Sequence, residues 1–272
     1  MGNFLASFSF SLLPLTLVIM FSLLMPAMGT VLVIRDEIML ALALPSVANA
    51  GMALGLLCGL DSDREFVLYG FATIATLFVI VGASRINHEN SRREILFAAL
   101  FVGGQILSST FSALSPVAHH HVSHLLDGEI LAVGILETIV LVIICIVILS
   151  VGVINFRSVF SWCADSAYFK IGTKYYHLYL FAVYGALASV ITLGVATVGT
   201  LLVTTLLVLP ALFGNVNSGG IRRYIILAGL IGAVGSIIGF LVALWIDFPP
   251  AISAAAGVGI TGIAMMFFYK KG

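Results

Sequence analysis

The chain has 272 residues, of which 61% are hydrophobic and only 9% charged, and its formal net charge is zero. A soluble domain of this length needs more polar surface than this composition supplies, so the chain is expected to be solvated by lipid. The absence of a basic patch excludes a nucleic-acid partner, because no cluster of cations is present to contact phosphates.

Apolar runs of about 20 residues, the length that crosses a bilayer, recur along the chain. The first, Phe8 to Ile34, has no basic region before it and is too long for the core of a signal peptide, so a retained span is predicted. Nine spans are predicted, at residues 8–34, 38–60, 66–84, 95–115, 134–154, 177–196, 199–214, 223–245 and 250–269. The fold class is an all-α polytopic membrane protein.

The stretch from Leu178 to Gly214 contains 37 residues without a charge. At about 1.5 Å rise per residue it is too long for a single crossing. A turn is predicted at Gly194 and Gly199, and if the stretch is one span with a re-entrant hairpin, the count changes. Eight or nine transmembrane helices are therefore expected.

Prolines and glycines predict breaks and close contacts in these helices. Pro210 is predicted to end the most apolar helix, and Pro26, Pro45, Pro249 and Pro250 to break others, as helices that line transporter cavities often do. Gly235-x-x-x-Gly239 is a small-xxx-small pair that suits close helix packing, with a dimer seam as one use.

Basic residues indicate the orientation, because they concentrate in cytoplasmic loops. With the spans alternating, eleven of the twelve fall on one side: Arg35, Arg85, Arg92, Arg93, Arg157, Lys170, Lys174, Arg222, Arg223, Lys270 and Lys271. Only Arg64 falls on the other. The N-terminus is predicted outside, the C-terminus in the cytoplasm, and the number of crossings odd.

The chain carries no motif for nucleotide chemistry. Neither GxxxxGK[ST] nor GxGxxG occurs, so ATP, if it drives transport, must be bound by another subunit. HExxH and GxSxG are also absent, which argues against an intramembrane enzyme. An ion-driven carrier would usually show an internal repeat, and none is found.

Five segments, in order, resemble one family of transporters. They are Arg35–Asn49, which contains Leu44-Pro45; Glu94–Gly104; Leu126–Val133, followed by Glu137; Asp165–Gly172; and Gly199–Ala211, which contains Leu-Leu-Val and ends in Pro-Ala. Together they are similar to the membrane subunit of the ABC-type importers of zinc, manganese and iron, the ABC-3 family.

The resemblance implies a type II ABC importer-like permease with 1–272 as one domain, in the bacterial cytoplasmic (inner) membrane. Its expected partners are a second permease protomer, a cytoplasmic ABC ATPase dimer and an extracytoplasmic metal-binding protein, within membrane lipid. No permanent cofactor is implied: the divalent metal ion is cargo and ATP acts through the partner. A coupling helix is expected within about 156–175, at Trp162, Asp165, Ala167, Phe169, Lys170 and Gly172.

The resemblance also suggests metal contacts. The family has an acidic residue and, four positions on, a histidine early in span two; here these positions are Glu37 and Ala41, so a carboxylate remains without the imidazole. Glu37 can equally be an interfacial charge beside Arg35 and Asp36. The outer loop supplies four histidines, His119, His120, His121 and His124, which suit capture of a divalent ion.

Asn49, Glu137 and Pro210 are expected to form a gate or part of the pathway. Polar or ionisable groups inside spans usually face a water-filled path or a partner helix, so Asn49 can instead bond a neighbouring helix and Glu137 can serve packing. Pro210 is included because helices broken at proline line cavities in transporters. Three alternatives stay open. Ala41 allows a permease for a metal chelate or another small solute, a non-ABC carrier has the same composition, and segment 156–175 could be a helix that lies on the lipid surface.

Overall fold

Ten α-helices make up the computed structural model in the residues that it describes, which are 2–58, 65–85, 92–114, 135–164, 176–216, 220–246 and 248–269. They are α1 (Gly2–Ile34), α2 (Ile38–Leu57), α3 (Glu65–Ser84), α4 (Arg92–Leu114), α5 (Ile135–Ile154), α6 (Phe156–Ala164), α7 (Tyr176–Val198), α8 (Thr200–Val216), α9 (Ile221–Ile246) and α10 (Pro250–Tyr269). No strand occurs within these ranges.

The all-α, multi-span architecture is confirmed, and each of the nine predicted spans falls on one helix. Within the described ranges, seven helices are long and apolar enough to cross a membrane: α1, α2, α3, α4, α7, α9 and α10. Helices α5 and α6 meet at a bend of 70°, and counting this pair as one span gives eight. Helix α8 is shorter, so the number of crossings stays a prediction.

The break between α7 and α8 lies at Gly199 and not at Gly194. Gly199 has φ 89°, a left-handed backbone conformation that glycine adopts readily because it has no Cβ. Gly194 lies inside α7, which is continuous to Val198. The predicted turn is therefore confirmed at one glycine and wrong at the other.

Prolines interrupt fewer helices than their positions suggest. Pro210 lies within α8, which continues to Val216, and Pro26 and Pro45 lie within α1 and α2, so the prediction that these prolines end or break helices is wrong. Helices in a membrane tolerate proline because neighbouring groups satisfy the freed carbonyl. Pro250 is different, since it is the first residue of α10, where its missing N–H costs no helical bond.

The chain divides into two compact units, described here separately. The first comprises residues 1–30, 127–151 and 197–272, and the second residues 31–126 and 152–196. The first therefore contains most of α1 and α5 with α8, α9 and α10, and the second contains α2, α3, α4, α6 and most of α7. One permease domain over 1–272 stays a prediction.

In the first unit, α9 packs against α10 through glycines on both helices. A Cβ added to Gly235 would lie 2.5 Å from Val258 Cα, and one added to Gly239 would lie 2.7 Å from Ala254 Cα. On α10, Gly257 would meet the Gly235 carbonyl in the same way. The close packing predicted for the Gly235–Gly239 pair is confirmed, and the surface that this pair contacts belongs to α10 of the same chain.

In the second unit, α2 packs against both α3 and α4. Gly51 approaches Ala72 of α3, and Gly104 of α4 approaches the Ser46 carbonyl, so small residues bring the three backbones together. Helix α2 is buried on nearly every side, which matches its uniformly apolar sequence. Large apolar side chains of α3 and α4, such as Phe78 and Ile106, are exposed, as expected for surfaces that contact lipid.

Candidate functional site

The turn between α1 and α2 fixes the backbone of Glu37. The Glu37 N–H donates to the Leu32 carbonyl at 2.9 Å and the Asp36 N–H donates to the Val33 carbonyl at 3.1 Å, the two bonds of a Schellman motif. Asp36 takes the left-handed position of this motif with φ 55°, which aspartate tolerates better than most residues. The helix end thus places Glu37 at a defined point.

Glu37 also begins the next helix. It precedes the first residue of α2, and its carbonyl accepts a bond from the Ala41 N–H at 3.0 Å. Its backbone is therefore held both by the end of α1 and by the start of α2. Its side chain is only 5% exposed, so its charge needs a partner inside the protein.

Two arginines supply that partner. Arg93, at the start of α4, donates from Nη2 to Glu37 Oε1 at 2.7 Å, and Arg35 donates to the same oxygen from Nε and Nη2, each at 3.3 Å. Arg93 Nη2 also lies 3.4 Å from the Ala83 carbonyl at the end of α3. We call Arg35, Glu37 and Arg93 the Glu37 cluster. Its side chains are buried and carry one more positive charge than negative.

Aromatic side chains extend the Glu37 cluster to α6 and α7. The Arg35 guanidinium lies 4.2 Å from the centre of the Trp162 ring, in a cation–π arrangement. Trp162, on α6, is almost fully buried and makes an edge-to-face contact with Tyr184 of α7 at 5.8 Å. Trp162 thus connects α6 to Arg35 and, through Arg35, to Glu37.

Cys163, next to Trp162 on α6, adds no charge to this region. Burial is the main influence and raises the pKa of its thiol to about 11, while the Arg35 charge lowers this pKa and the Glu37 charge raises it. The thiol therefore stays protonated near neutral pH.

A metal ion competes for Glu37 with two guanidinium groups. Both arginines contact Oε1, and a divalent cation that approaches this oxygen meets their repulsion. Ala41, one turn further along α2, is buried and offers no side-chain ligand. Among the residues that the structure describes, no group of three or more His, Cys, Asp or Glu side chains could hold a metal.

The residues predicted for the pathway lie on three different helices. Asn49 is fully buried on α2, and neither atom of its amide has a hydrogen-bond partner in the structure as described. Pro210 is buried within α8. Glu137 belongs to the first turn of α5. The structure places Asn49 in the second unit and the other two in the first.

Most of the predicted loop residues lie outside the described residues. This applies to His119, His120, His121 and His124, and also to Asp165, Ala167, Phe169, Lys170 and Gly172. Trp162 is the predicted coupling residue that the structure describes, and it lies at the inner face of α6 against Arg35 and Tyr184.

Arg93 is the site residue that sequence reasoning missed. It is 56 residues from Glu37 and reaches it only because the start of α4 packs beside the start of α2. The available signal was a pair of arginines, Arg92 and Arg93, at the mouth of a predicted span. Two adjacent arginines beside a span usually indicate its cytoplasmic end, where they contact water. Here Arg93 is buried instead.

Comparison with known proteins identifies the class of this polytopic membrane protein. The model of the ABC 3 transport family matches residues 7–269. This range covers nearly the whole chain, so the protein belongs to the ABC 3 transport family.

Characterised relatives are similar along most of their length. The manganese transport system membrane protein MntC of Listeria monocytogenes is 25% identical over 245 residues, covering 89% of this chain and 82% of its own. The manganese import system permease protein ScaB of Streptococcus gordonii is 25% identical over 244 residues, covering 89% and 83%.

A solved structure shares the fold. The structure of PsaBC from Streptococcus pneumoniae in complex with Fab superposes with a TM-score of 0.81, covering 98% of this chain and 95% of that chain, at 18% sequence identity. The chain therefore has the same helical fold as that solved chain.

Proposed function

We propose that this chain is the permease subunit of an ATP-driven importer of divalent metal ions, with manganese as the first candidate cargo. The observation that carries the proposal is the family match over residues 7–269, joined to two relatives whose names specify manganese transport. The absence of a nucleotide-binding motif supports an ATPase in a separate subunit.

The permease works as a homodimer in the cytoplasmic membrane of a bacterium, with its N-terminus outside and its C-terminus inside. The distribution of eleven basic residues on one side supports this orientation. A metal-binding protein delivers the ion at the outer face, and an ATPase dimer binds the segment around 156–175 at the inner face. No cofactor is permanently bound.

The contacts of Trp162 support a route from the ATPase to the spans. Closure of the ATPase dimer displaces α6, and Trp162 carries this movement to Arg35 at the end of α1. Because Arg35 and Arg93 share Glu37 Oε1, a shift of Arg35 changes how tightly the starts of α2 and α4 are held together. The Glu37 cluster thus acts as a latch at the cytoplasmic ends of these helices.

The metal contacts are divided between two places. The four histidines of the outer loop, His119, His120, His121 and His124, gather the ion. Glu37 contacts it in the conformation in which Arg93 has released the carboxylate. A carboxylate without a neighbouring imidazole suits a hard ion such as Mn²⁺ better than zinc.

A second candidate cargo is an anionic metal chelate. The alanine at position 41 favours it, because Ala41 is buried and offers no side-chain ligand to a bare ion. A chelate brings its own ligands and needs fewer from the protein.

Cellular metal content tests these proposals. Cells that express the complete transporter should accumulate manganese, measured by mass spectrometry, and both Glu37→Ala and the combined change of the four loop histidines to alanine should return it towards background. His177→Ala is the control, since His177 is exposed at the start of α7 and should leave uptake unchanged.

Two results would change the proposed cargo or the proposed metal contacts. Accumulation that requires a carboxylate chelator such as citrate in the medium would favour the chelate. Unchanged uptake of every divalent metal in both variants would contradict the assignment of Glu37 and the histidines.

A further inference from the structure

Helix α4 is the least buried of the candidate spans. Only 17% of the residues in its apolar span, Arg93–Phe111, are buried inside the chain as described, the lowest share of the seven spans. Its main neighbour among the described helices is α2, which it meets at Gly104 and the Ser46 carbonyl. Most of its circumference is therefore left to lipid, to water or to another chain.

The exposed circumference of α4 has two faces of different chemistry, separated by the turn of about 100° per residue in an α-helix. One face carries large apolar side chains, which are Ile95, Leu96, Ile106, Leu107 and Leu114. The other lies next to the α2 contact, and we call it the polar face of α4. It carries Ala98, Val102, Gln105 and Ser109. The first face suits lipid tails, whereas the polar face presents groups that lipid tails cannot bind.

Gln105 uses only one end of its amide. Its Nε2 donates to the Ser46 hydroxyl of α2 at 3.2 Å, and its Oε1 has no partner among the residues that the structure describes. The side chain is half-buried, so it can be reached from outside the chain. Because lipid tails offer no donor, this oxygen needs water or another chain inside the membrane.

Ser109 repeats this pattern one turn further along the polar face. Its side chain is exposed, and its hydroxyl makes no hydrogen bond to any described residue. Thr110 is also exposed but lies on the apolar face, and its hydroxyl donates to the Ile106 carbonyl at 2.7 Å. A hydroxyl that bonds to its own helix is compatible with lipid. The unpartnered polar groups of α4 are thus confined to one face.

A second copy of this chain fits the polar face through the chemistry of its side chains. In a two-fold dimer the same surface of both protomers meets, so a side chain can lie opposite its own copy. Glutamine and serine suit this arrangement, because each both donates and accepts hydrogen bonds. Ala98 and Val102 leave room on the same face for water or for close approach.

We propose that the polar face of α4 lies opposite the same face of a second copy, and that Gln105 and Ser109 of both protomers line the metal path between them. This inference rests on the proposed function. One protomer supplies half of this site, and water between the two faces satisfies the amide and hydroxyl groups. Neutral oxygens and water suit a hard ion such as Mn²⁺ and hold it weakly enough for it to leave.

Thiol labelling compares adjacent residues on the two faces. In a full-length chain with its three cysteines changed to alanine, Gln105→Cys is compared with Ile106→Cys, and Ser109→Cys with Thr110→Cys, each pair at nearly the same depth. A methanethiosulfonate reagent with a trimethylammonium group is applied to membranes that contain the chain and the subunits that copurify with it. We expect several-fold faster modification of Gln105→Cys and Ser109→Cys than of their neighbours.

Cross-linking tests for the second copy. A bis-methanethiosulfonate reagent, which joins two thiols, should convert Ser109→Cys to a covalent dimer on a non-reducing gel and leave Thr110→Cys monomeric. A dimer formed through Thr110→Cys alone would place the apolar face at the interface and overturn the proposal. Fast labelling of Ser109→Cys without a dimer would show that no second copy lies opposite, with the same consequence.

A further pair of variants separates the metal path from packing. Gln105→Leu removes the amide at similar volume, so Mn²⁺ uptake should fall several-fold. Ser46→Ala is the matched control, because it breaks the same bond between α2 and α4 but keeps the Gln105 amide, and it should retain most of the uptake. Equal losses in both variants would show that Gln105 acts only through its bond to Ser46, which would overturn its place in the path.

Failure of the proposed function gives a different result. A chain that takes up no Mn²⁺ but labels and cross-links as expected would contradict the importer and the passage of metal, and would keep the paired polar faces. A chain that takes up Mn²⁺ while all four cysteine variants label equally would keep the importer and overturn the paired polar faces.

Discussion

At the residue scale, the most consequential contact is that of Glu37 with two arginines. Burial of a carboxylate and two guanidinium groups carries a desolvation penalty, which the close contacts of Glu37 with Arg35 and Arg93 offset. Removing one partner leaves the others charged and buried. Substitution of any one member of the Glu37 cluster is therefore expected to lower the stability of the protein, because the other members lose a contact.

Glu37→Ala should destabilise the protein strongly, because it removes the carboxylate that both buried guanidinium groups contact. The expected loss is about 3–5 kcal/mol in the free energy of unfolding. Thermal unfolding of the purified chain in detergent should show a clear decrease in Tm. The matched control is Glu94→Ala, since Glu94 adjoins Arg93 but is exposed, and its change should stay within about 0.5 kcal/mol. Equal Tm values for the two variants would contradict the cluster.

At the element scale, each unit is assembled on small residues that let helices approach. Gly235 and Gly239 face α10, and Gly104 faces α2. At these glycines the backbones of α9 and α10, and of α4 and α2, are in direct contact. Helix α6 differs from the rest, because it is short and amphipathic and bends by 70° from α5. These properties support the proposal that α6 belongs to the segment that contacts the ATPase.

Gly239→Ala should weaken the contact between α9 and α10. Its Cβ would lie 2.7 Å from both Ala254 Cα and the Ser253 carbonyl carbon, which are backbone atoms and cannot rotate away. Overpacking of this kind costs about 1–3 kcal/mol. Gly229→Ala, on the same helix with open space around it, should instead be neutral or stabilising by about 0.5–1 kcal/mol. Thermal unfolding compares the two, and a Gly239→Ala variant as stable as Gly229→Ala would show that the helices lie further apart.

Trp162→Ala should separate ATP hydrolysis from transport. The substitution removes the ring that Arg35 covers, so movement of α6 no longer reaches the Glu37 cluster. Basal ATPase activity of the assembled complex should persist, while its stimulation by Mn²⁺ and its uptake of Mn²⁺ should be lost. Phe160→Ala truncates a partly exposed aromatic ring on the same helix and should retain both. Retained stimulation in Trp162→Ala would exclude this route.

At the scale of the whole molecule, the sequence predicted the positions of the spans because membrane thickness imposes a length on each apolar run. Helix interiors were less predictable. Pro210 and Gly194 were predicted to break helices, but α8 continues past Pro210 and α7 continues past Gly194. The Arg93–Glu37 contact could not be predicted from sequence, since it joins residues 56 positions apart and depends on packing of the start of α4 beside the start of α2. The amide of Asn49 was recognisable as polar within a span, whereas its lack of partners required coordinates.

The most direct test of the proposed function is ATP-dependent uptake of radioactive Mn²⁺ into liposomes that contain the chain with the subunits that copurify with it. We expect an ATPase to copurify, and Mn²⁺ to accumulate with ATP but not with a non-hydrolysable analogue. Mn²⁺ that enters equally without ATP, or a chain that purifies with no ATPase, would contradict the assignment of an ATP-driven metal importer.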